Sequence, residues 1–388
     1  MKKISILFIL VFTLLGCGIR TQVPLPEQES RRANQVTIAA IGDIMVHRAQ
    51  LKSAWDAEHG NYDFVPVFSP VKDLLSAADL TIGNLETTLP GREKLYAGYP
   101  RFGTPDALAA ALHGAGIDIL TTANNHSCDT GKRGVIRTIK VLDAYGILHT
   151  GTYRNTSEYE NQRILIVERN RVRLVFISYT YGLNGMPIPK GTHVNLINKE
   201  QMAEDITLAK AQNPDCIICL IHWGTEYERY PNQFQKKTAA FLFSEGVDII
   251  LGSHPHVVQP FELKPITDKY GHTKPRLVIY SLGNFVSNQR DRYRDGGIIF
   301  TFTIHKDNGT ALDIKDVRYT PTWVYRTAGK KQFYILPIPR YLTNDQPLHL
   351  PDDAYQKMLT FYRDTQLHLQ ESTVQIKKQM KPPLVKEK

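Results

Sequence analysis

Gly246-Val-Asp-Ile-Ile-Leu-Gly-Ser-His-Pro-His-Val-Val-Gln259 is an apolar run that stops at a glycine and then delivers two histidines. Val247 to Leu251 reads as a buried strand by its length and β-branched content. In α/β proteins, binding chemistry collects at the C-terminal ends of strands. An extended chain would put His254 and His256, two residues apart, on the same side, and Pro255 stiffens the turn between them. Two neutral imidazoles so placed suit a transition metal. An isolated His-Pro-His is equally well a surface loop, so what decides is whether the pattern recurs.

It recurs four times upstream. Val36-Thr-Ile-Ala-Ala-Ile41 runs into Gly42-Asp43, and Asp79-Leu-Thr-Ile82 into Gly83-Asn84-Leu85-Glu86. Ile117 to Thr122 leads to Ala123-Asn124-Asn125-His126, and Asp215 to Ile221 to His222-Trp-Gly-Thr-Glu226-Tyr227. Helical spacing is predicted over 71–78, 105–115, 134–145, 199–212 and 235–245, with a last helix over 352–370. Strands alternating with helices imply an α/β chain with a largely parallel sheet. Two hairpins interrupt it. One turns at Arg169-Asn170-Arg171, the other at Asn308-Gly309, a strong hairpin dipeptide.

The ends of the chain carry a different message. Lys2 and Lys3 precede the apolar run Ile4 to Leu15, too short to span a bilayer, and then Gly16-Cys17. That is the layout of a secretory signal. Leu14-Leu15-Gly16-Cys17 resembles a bacterial lipobox, which implies residues 1–16 as a lipoprotein signal peptide and acylation of Cys17. Acyl chains would hold the protein on a membrane surface, at the outer face of the cell membrane or in the periplasm or outer membrane of a two-membrane cell. Residues 17–35, polar and with Pro24 and Pro26, read as a tether. The net charge of +9 is spread over 388 residues except for a basic C-terminal tail. No basic patch interleaved with aromatics argues for nucleic acid. Cys216 and Cys219 have C-x-x-C spacing, but three apart in a strand face opposite sides, so they read as core and not as a redox pair.

Two carboxylates (Asp43, Glu86), one amide (Asn125) and three imidazoles (His222, His254, His256) form the candidate ligand set. Mixed nitrogen and oxygen donors suit Mn, Zn or Fe and exclude an all-oxygen Mg or Ca site. The set exceeds the needs of one four-coordinate ion, so one or two divalent ions are expected. Two ions sharing a carboxylate would activate a water and clamp the oxygens of a displacement at phosphorus. His126, beside Asn125, is the spare imidazole suited to protonate a leaving group. His47, Asn84, Glu226 and Asn284 are candidates for orienting ligands or meeting substrate.

These segments, with Ser281-Leu-Gly-Asn-Phe285, resemble the successive motifs of the bacterial capsule synthesis protein family, the CapA-type poly-γ-glutamate synthesis proteins. The resemblance runs from about Val36 to Val324. That family is similar to the calcineurin-like metallophosphoesterases. The likeness implies a four-layer metallophosphatase-like β-sandwich flanked by helices over 36–325, with 326–388 as a C-terminal extension of helix and basic tail. It also implies a metal-dependent hydrolase of the envelope, or else a non-catalytic assembly factor with a structural metal. Its partners would be an anionic envelope polymer or phosphoester and capsule synthase or export membrane proteins. On this comparison Asp43 matches the first aspartate, Glu86 the bridging carboxylate, Asn125-His126 the Asn-His pair, and His222, His254 and His256 the remaining histidines. Two departures bear on the first ion: Met45 stands where the phosphoesterase pattern has histidine, and Glu86 is one methylene longer than the aspartate.

Overall fold

Val36, Ile38 and Ala40 point to one side of their strand and Ala39 and Ile41 to the other, and both sets are buried. A strand that is apolar on both faces needs a layer on each side. The computed structural model, which describes residues 34–306, 312–329, 331–343, 348–370 and 372, supplies them. The strands are β1 (Gln35–Ile44), β2 (Leu80–Leu85), β3 (Ile119–Thr121), β4 (Leu148–Thr150), β5 (Leu165–Arg169), β6 (Val172–Thr180) and β7 (Cys216–His222). They continue as β8 (Ile249–Ser253), β9 (Phe261–Thr267), β10 (Thr273–Ile279), β11 (Asn284–Val286), β12 (Gly296–Lys306), β13 (Leu312–Arg326) and β14 (Phe333–Pro337). The longer helices are α1 (Arg48–Ala54), α2 (Ala107–Gly114), α3 (Gly131–Ala144), α4 (Lys199–Lys210), α5 (Gln233–Glu245) and α6 (Asp352–Leu369).

The strands form two facing sheets, ordered β14-β13-β12-β1-β2-β3-β4 and β9-β10-β8-β7-β6-β5, with β11 paired beside the end of β1. The largely parallel sheet expected from the helix–strand alternation is found as the parallel strands of two mixed sheets. In the first, β1 to β4 are parallel and β12 to β14 antiparallel. In the second, β6, β7, β8 and β10 are parallel, with β5 and β9 as antiparallel edges. The physical reason is the hairpin β5–β6, which ends one parallel run and starts the next on its own edge.

Val36, Ile38, Leu80, Leu174, Phe176, Ile218, Leu251 and Phe300 fill the space between the sheets. Helix α2 and Val141 and Leu142 of α3 cover the outer face of the first sheet, and α4 and α5 that of the second. The result is the four-layer sandwich flanked by helices that the resemblance implied. Cys216 belongs to the inner core and Cys219 to the outer one, so the two thiols face apart and both are free. The segment after Arg326 adds β14 to the first sheet and lays α6 against Trp323, Tyr325 and Leu336. The signal segment, Cys17, most of the tether, the Asn308-Gly309 turn and the basic tail lie outside the described residues.

The C-terminal ends of β1, β2, β3, β7 and β8 open on one edge of the sandwich. There β1 is irregular in register between Ala40 and Asp43. Such bulges re-aim side chains near sites. Gly42 makes this one possible, since a Cβ there would collide with the Gly283 carbonyl.

Candidate metal centre

Asp43 ends β1, Glu86 follows β2, Asn125 and His126 follow β3, His222 ends β7, and His254 and His256 follow β8. All seven are buried. Glu86 Oε1 is the hub. His222 Nε2 lies 3.7 Å from it, His256 Nε2 3.8 Å and His126 Nε2 4.0 Å. That oxygen has no hydrogen-bond partner, and neither does His254 Nδ1. The donor atoms of Glu86, His254 and His256 lie within 4.8 Å of one another, as do those of Asp43, Glu86 and His222. Glu86 belongs to both groups, the position of a shared carboxylate.

The surrounding groups fix these ligands in place. Asn84 Nδ2 donates to Asp43 Oδ1 at 2.8 Å and to Glu86 Oε2 at 3.3 Å. Asn124 in turn donates to Asn84 Oδ1 at 3.1 Å. His256 Nδ1 is 2.9 Å from Asp43 Oδ2, and His222 contacts Ser253 Oγ and Asn125 Oδ1, each at 2.9 Å. Burying two carboxylates together is costly unless a cation compensates. Burial first, and then the charge of Asp43, push the Glu86 carboxyl well above its usual range. Burial and the three neighbouring imidazoles hold His222 well below its ordinary value. Burial and His256 lower His254 to about 3. His222 and His254 are therefore neutral, as ligands must be. An orphaned carboxylate oxygen faced by three imidazole nitrogens fits a divalent transition ion.

The two histidines after β8 converge by a route the sequence did not predict. The segment is not extended: His254 has φ 99° and His256 φ 58°. Such torsions in non-glycine residues cost about 1–3 kcal/mol each and cluster at functional sites.

The other candidates fall into place around the ligands. His126 Nδ1 donates to Asp129 Oδ2 at 2.7 Å, and the Phe102 amide donates to the same oxygen at 2.5 Å. Phe102 stands between His126, at 4.6 Å between ring centres, and His47, at 5.1 Å. His47 Nδ1 accepts the Asn288 amide at 3.2 Å, and burial lowers its pKa to about 4. It flanks the pocket and is not among the ligand groups. Met45 is buried, its amide donating to the Val286 carbonyl. Glu226 is exposed at the mouth, where its charge adds to the rise at Glu86. Asn284, opposite Asp43 in register, donates to Gln289 Oε1 at 2.9 Å and to the Arg294 carbonyl at 2.8 Å, tying down the rim loop.

Sequence reasoning missed Asp129, Tyr181 and Asn184. Asn184 Oδ1 accepts from Asn125 Nδ2 at 3.3 Å, and the half-exposed Tyr181 ring lies 4.4 Å from that of His254. A signal existed only for Asp129, three residues after His126. The rim is also latched by α6. Asp364 takes two hydrogen bonds from Arg292, each 2.6 Å, its carbonyl accepts from Arg229, and His368 Nε2 donates to the Arg229 carbonyl.

The family described as Bacterial capsule synthesis protein PGA_cap matches residues 37–289, the span that carries every candidate ligand above. The chain belongs to this family. Relatives within the capsule synthesis group include the capsule biosynthesis protein CapA of Bacillus anthracis, 29% identical over 303 residues, covering 76% of this chain and 69% of that one. The PGA biosynthesis protein CapA of Bacillus subtilis (strain 168) is 27% identical over 353 residues, covering 88% and 86%. Among solved structures, an NAD nucleotidase of Haemophilus influenzae aligns with TM-score 0.48 and 13% identity, covering 88% of this chain and 57% of that one. A putative 5'-nucleotidase of Staphylococcus aureus aligns with TM-score 0.47 and 14% identity, covering 85% and 58%.

Proposed function

We propose that this capsule synthesis family member is a metal-dependent, phosphoesterase-like hydrolase of the cell envelope, acting in support of poly-γ-glutamate or other capsule polymer synthesis or export. The observation that carries the reading is Glu86 Oε1, buried, without a hydrogen-bond partner and faced by three imidazole Nε2 atoms at 3.7–4.0 Å. One or two divalent ions of the Mn, Zn or Fe class would be held by Asp43, Glu86, Asn125, His222, His254 and His256. A bound ion supplies Lewis acidity and an activated water. The chain's own residues do the rest. Asn84 holds both carboxylates in one geometry, and Asn184 turns the Asn125 oxygen inward. Asp129 accepts from His126 Nδ1, so His126 presents Nε2 to the pocket, and as the imidazolium, with both ring nitrogens protonated and Asp129 as its counter-charge, it can give the Nε2 proton to a leaving alkoxide there. The lipobox motif adds a site of action: a protein tethered through Cys17 to a membrane surface, beside capsule synthase or export proteins.

The test is direct. The chain without its first 34 residues is purified, its metal content measured, and a generic phosphodiester assayed with Mn²⁺. Bound metal and activity lost in Asp43→Ala and His254→Ala are expected. A metal-free protein whose activity survives both substitutions would sink the reading. Met45, buried where the phosphoesterase pattern places a ligand, favours a second reading: a capsule-assembly factor that binds polymer or a synthase partner and uses its metal structurally. Full rescue of capsule formation by a His126→Ala, His256→Ala variant would select it.

A further inference from the structure

Helix α3 leaves the metal centre directly after Asp129 and presents Lys132, Arg133, Arg137 and Lys140 on its outward side. With Gly91 and Ile136 they line an open cleft of about 490 Å³. The arrangement is built. Arg133 Nε donates to the Pro90 carbonyl at 2.7 Å, and the Arg137 guanidinium lies where a side chain on Gly91 would be. Arg137 pairs with Asp106. Among the described residues Lys132, Arg133 and Lys140 make no ion pair, and all three are exposed. Four cations answered by one carboxylate leave a local positive field that a soluble surface does not ordinarily concentrate in a concavity.

The cleft and the metal centre are built on the same two segments. Thr88, two residues after Glu86, bonds Thr130, one residue before α3, at 2.8 Å between hydroxyls. Gly91 is the fifth residue after Glu86, so its Cα lies at most about 18 Å from that of Glu86.

We infer that this cleft is a docking track for a polycarboxylate chain, holding it beside the metal centre. The inference rests on the envelope-polymer reading above and names where the polymer binds. The cations lie along about 12 Å of helix, from Lys132 to Lys140, which matches a linear ligand with repeated charges and not a single anion. Ile136, half-buried between the basic residues, gives the methylenes of acidic side chains an apolar contact.

The test uses the soluble chain in EDTA with a fluorescein-labelled polyglutamate, read by anisotropy, so that binding is measured apart from turnover. Wild type is compared with Lys132→Gln/Lys140→Gln and with Lys132→Glu/Lys140→Glu. Neither lysine contacts the metal ligands, so phosphodiester turnover with Mn²⁺ stays at the wild-type level in both. Polyglutamate affinity falls about tenfold in the neutral variant and further in the reversed one, and added salt weakens the wild type most. Equal binding by all three proteins, or none by the wild type, overturns the inference. So does binding to anionic lipid vesicles through these lysines without binding to polyglutamate, which would make the cleft a membrane contact. Turnover without polymer binding defeats the cleft alone, whereas polymer binding through the lysines without turnover defeats the hydrolase and leaves the cleft standing.

Discussion

Replacing Glu86 by glutamine separates the two roles that the metal-centre reading gives this residue. The side chain keeps its shape and loses one charge and one ligand oxygen. In the metal-free protein the carboxylate is a burden: it is fully buried beside Asp43, and one oxygen lacks a partner. Glu86→Gln therefore leaves the metal-free form as stable as the wild type or more so. With metal the sign reverses. Outer-shell changes cost metal sites about 10–100-fold in affinity, so loss of a ligand shared by both donor groups weakens binding by about 100-fold or more, equivalent to about 2.7 kcal/mol. At Mn²⁺ a thousand times the wild-type dissociation constant, binding stabilises the fold by about 4.1 kcal/mol. A hundredfold weaker site yields about 1.4 kcal/mol at the same concentration. Urea unfolding of both proteins, with Mn²⁺ and with EDTA, measures all four quantities. The reasoning fails if the variant keeps the full metal-induced stabilisation. It also fails if the variant is less stable than the wild type in EDTA, because Glu86 would then be a structural group and not a ligand.

Asp129→Ala removes the acceptor that fixes the His126 tautomer, so kcat for a phosphodiester drops by about 100-fold or more while bound metal, by elemental analysis, stays the same. Gly42→Ala drives a methyl group into the Gly283 carbonyl; a loss of about 3 kcal/mol or more is expected in urea unfolding. In EDTA the protein loses stability as pH falls below 6.5, because unfolded histidines bind protons that folded His254, held near about 3, His47, held near about 4, and His222 refuse. Each refused proton costs about 1.4 kcal/mol per pH unit, and the raised Glu86, which binds its proton more readily when folded, works in the opposite direction. Urea midpoints between pH 7 and 5 read the net slope, and saturating Mn²⁺ raises the stability without moving the onset of the decline, which the unfolded histidines set.

The candidate ligands were legible because each stands after an apolar run that only a buried strand explains, so local pattern and tertiary position coincide at Asp43, Glu86, Asn125, His222 and His254. The cysteines at 216 and 219 were legible for the same reason, through period-two alternation. What escaped depends on contacts between distant segments. Asn184 lies in a Gly-rich loop with no periodicity, and only the folded chain brings it to Asn125. The left-handed torsions of His254 and His256 follow from packing against Asp43, a residue far away in the chain. The division into two sheets is set by which edge the β5–β6 hairpin joins, and strand periodicity says nothing of edges.

The latch between α6 and the rim gives the order of synthesis a structural meaning. Every candidate ligand has emerged by His256, whereas Asp364 and His368, which hold Arg292 and Arg229, are among the last described residues. Chains fold from the N-terminus as they emerge. The strand that carries Asp43 gains its neighbours at Asn284 and along Gly296–Lys306 only later in the chain, and the mouth takes shape last, when α6 arrives.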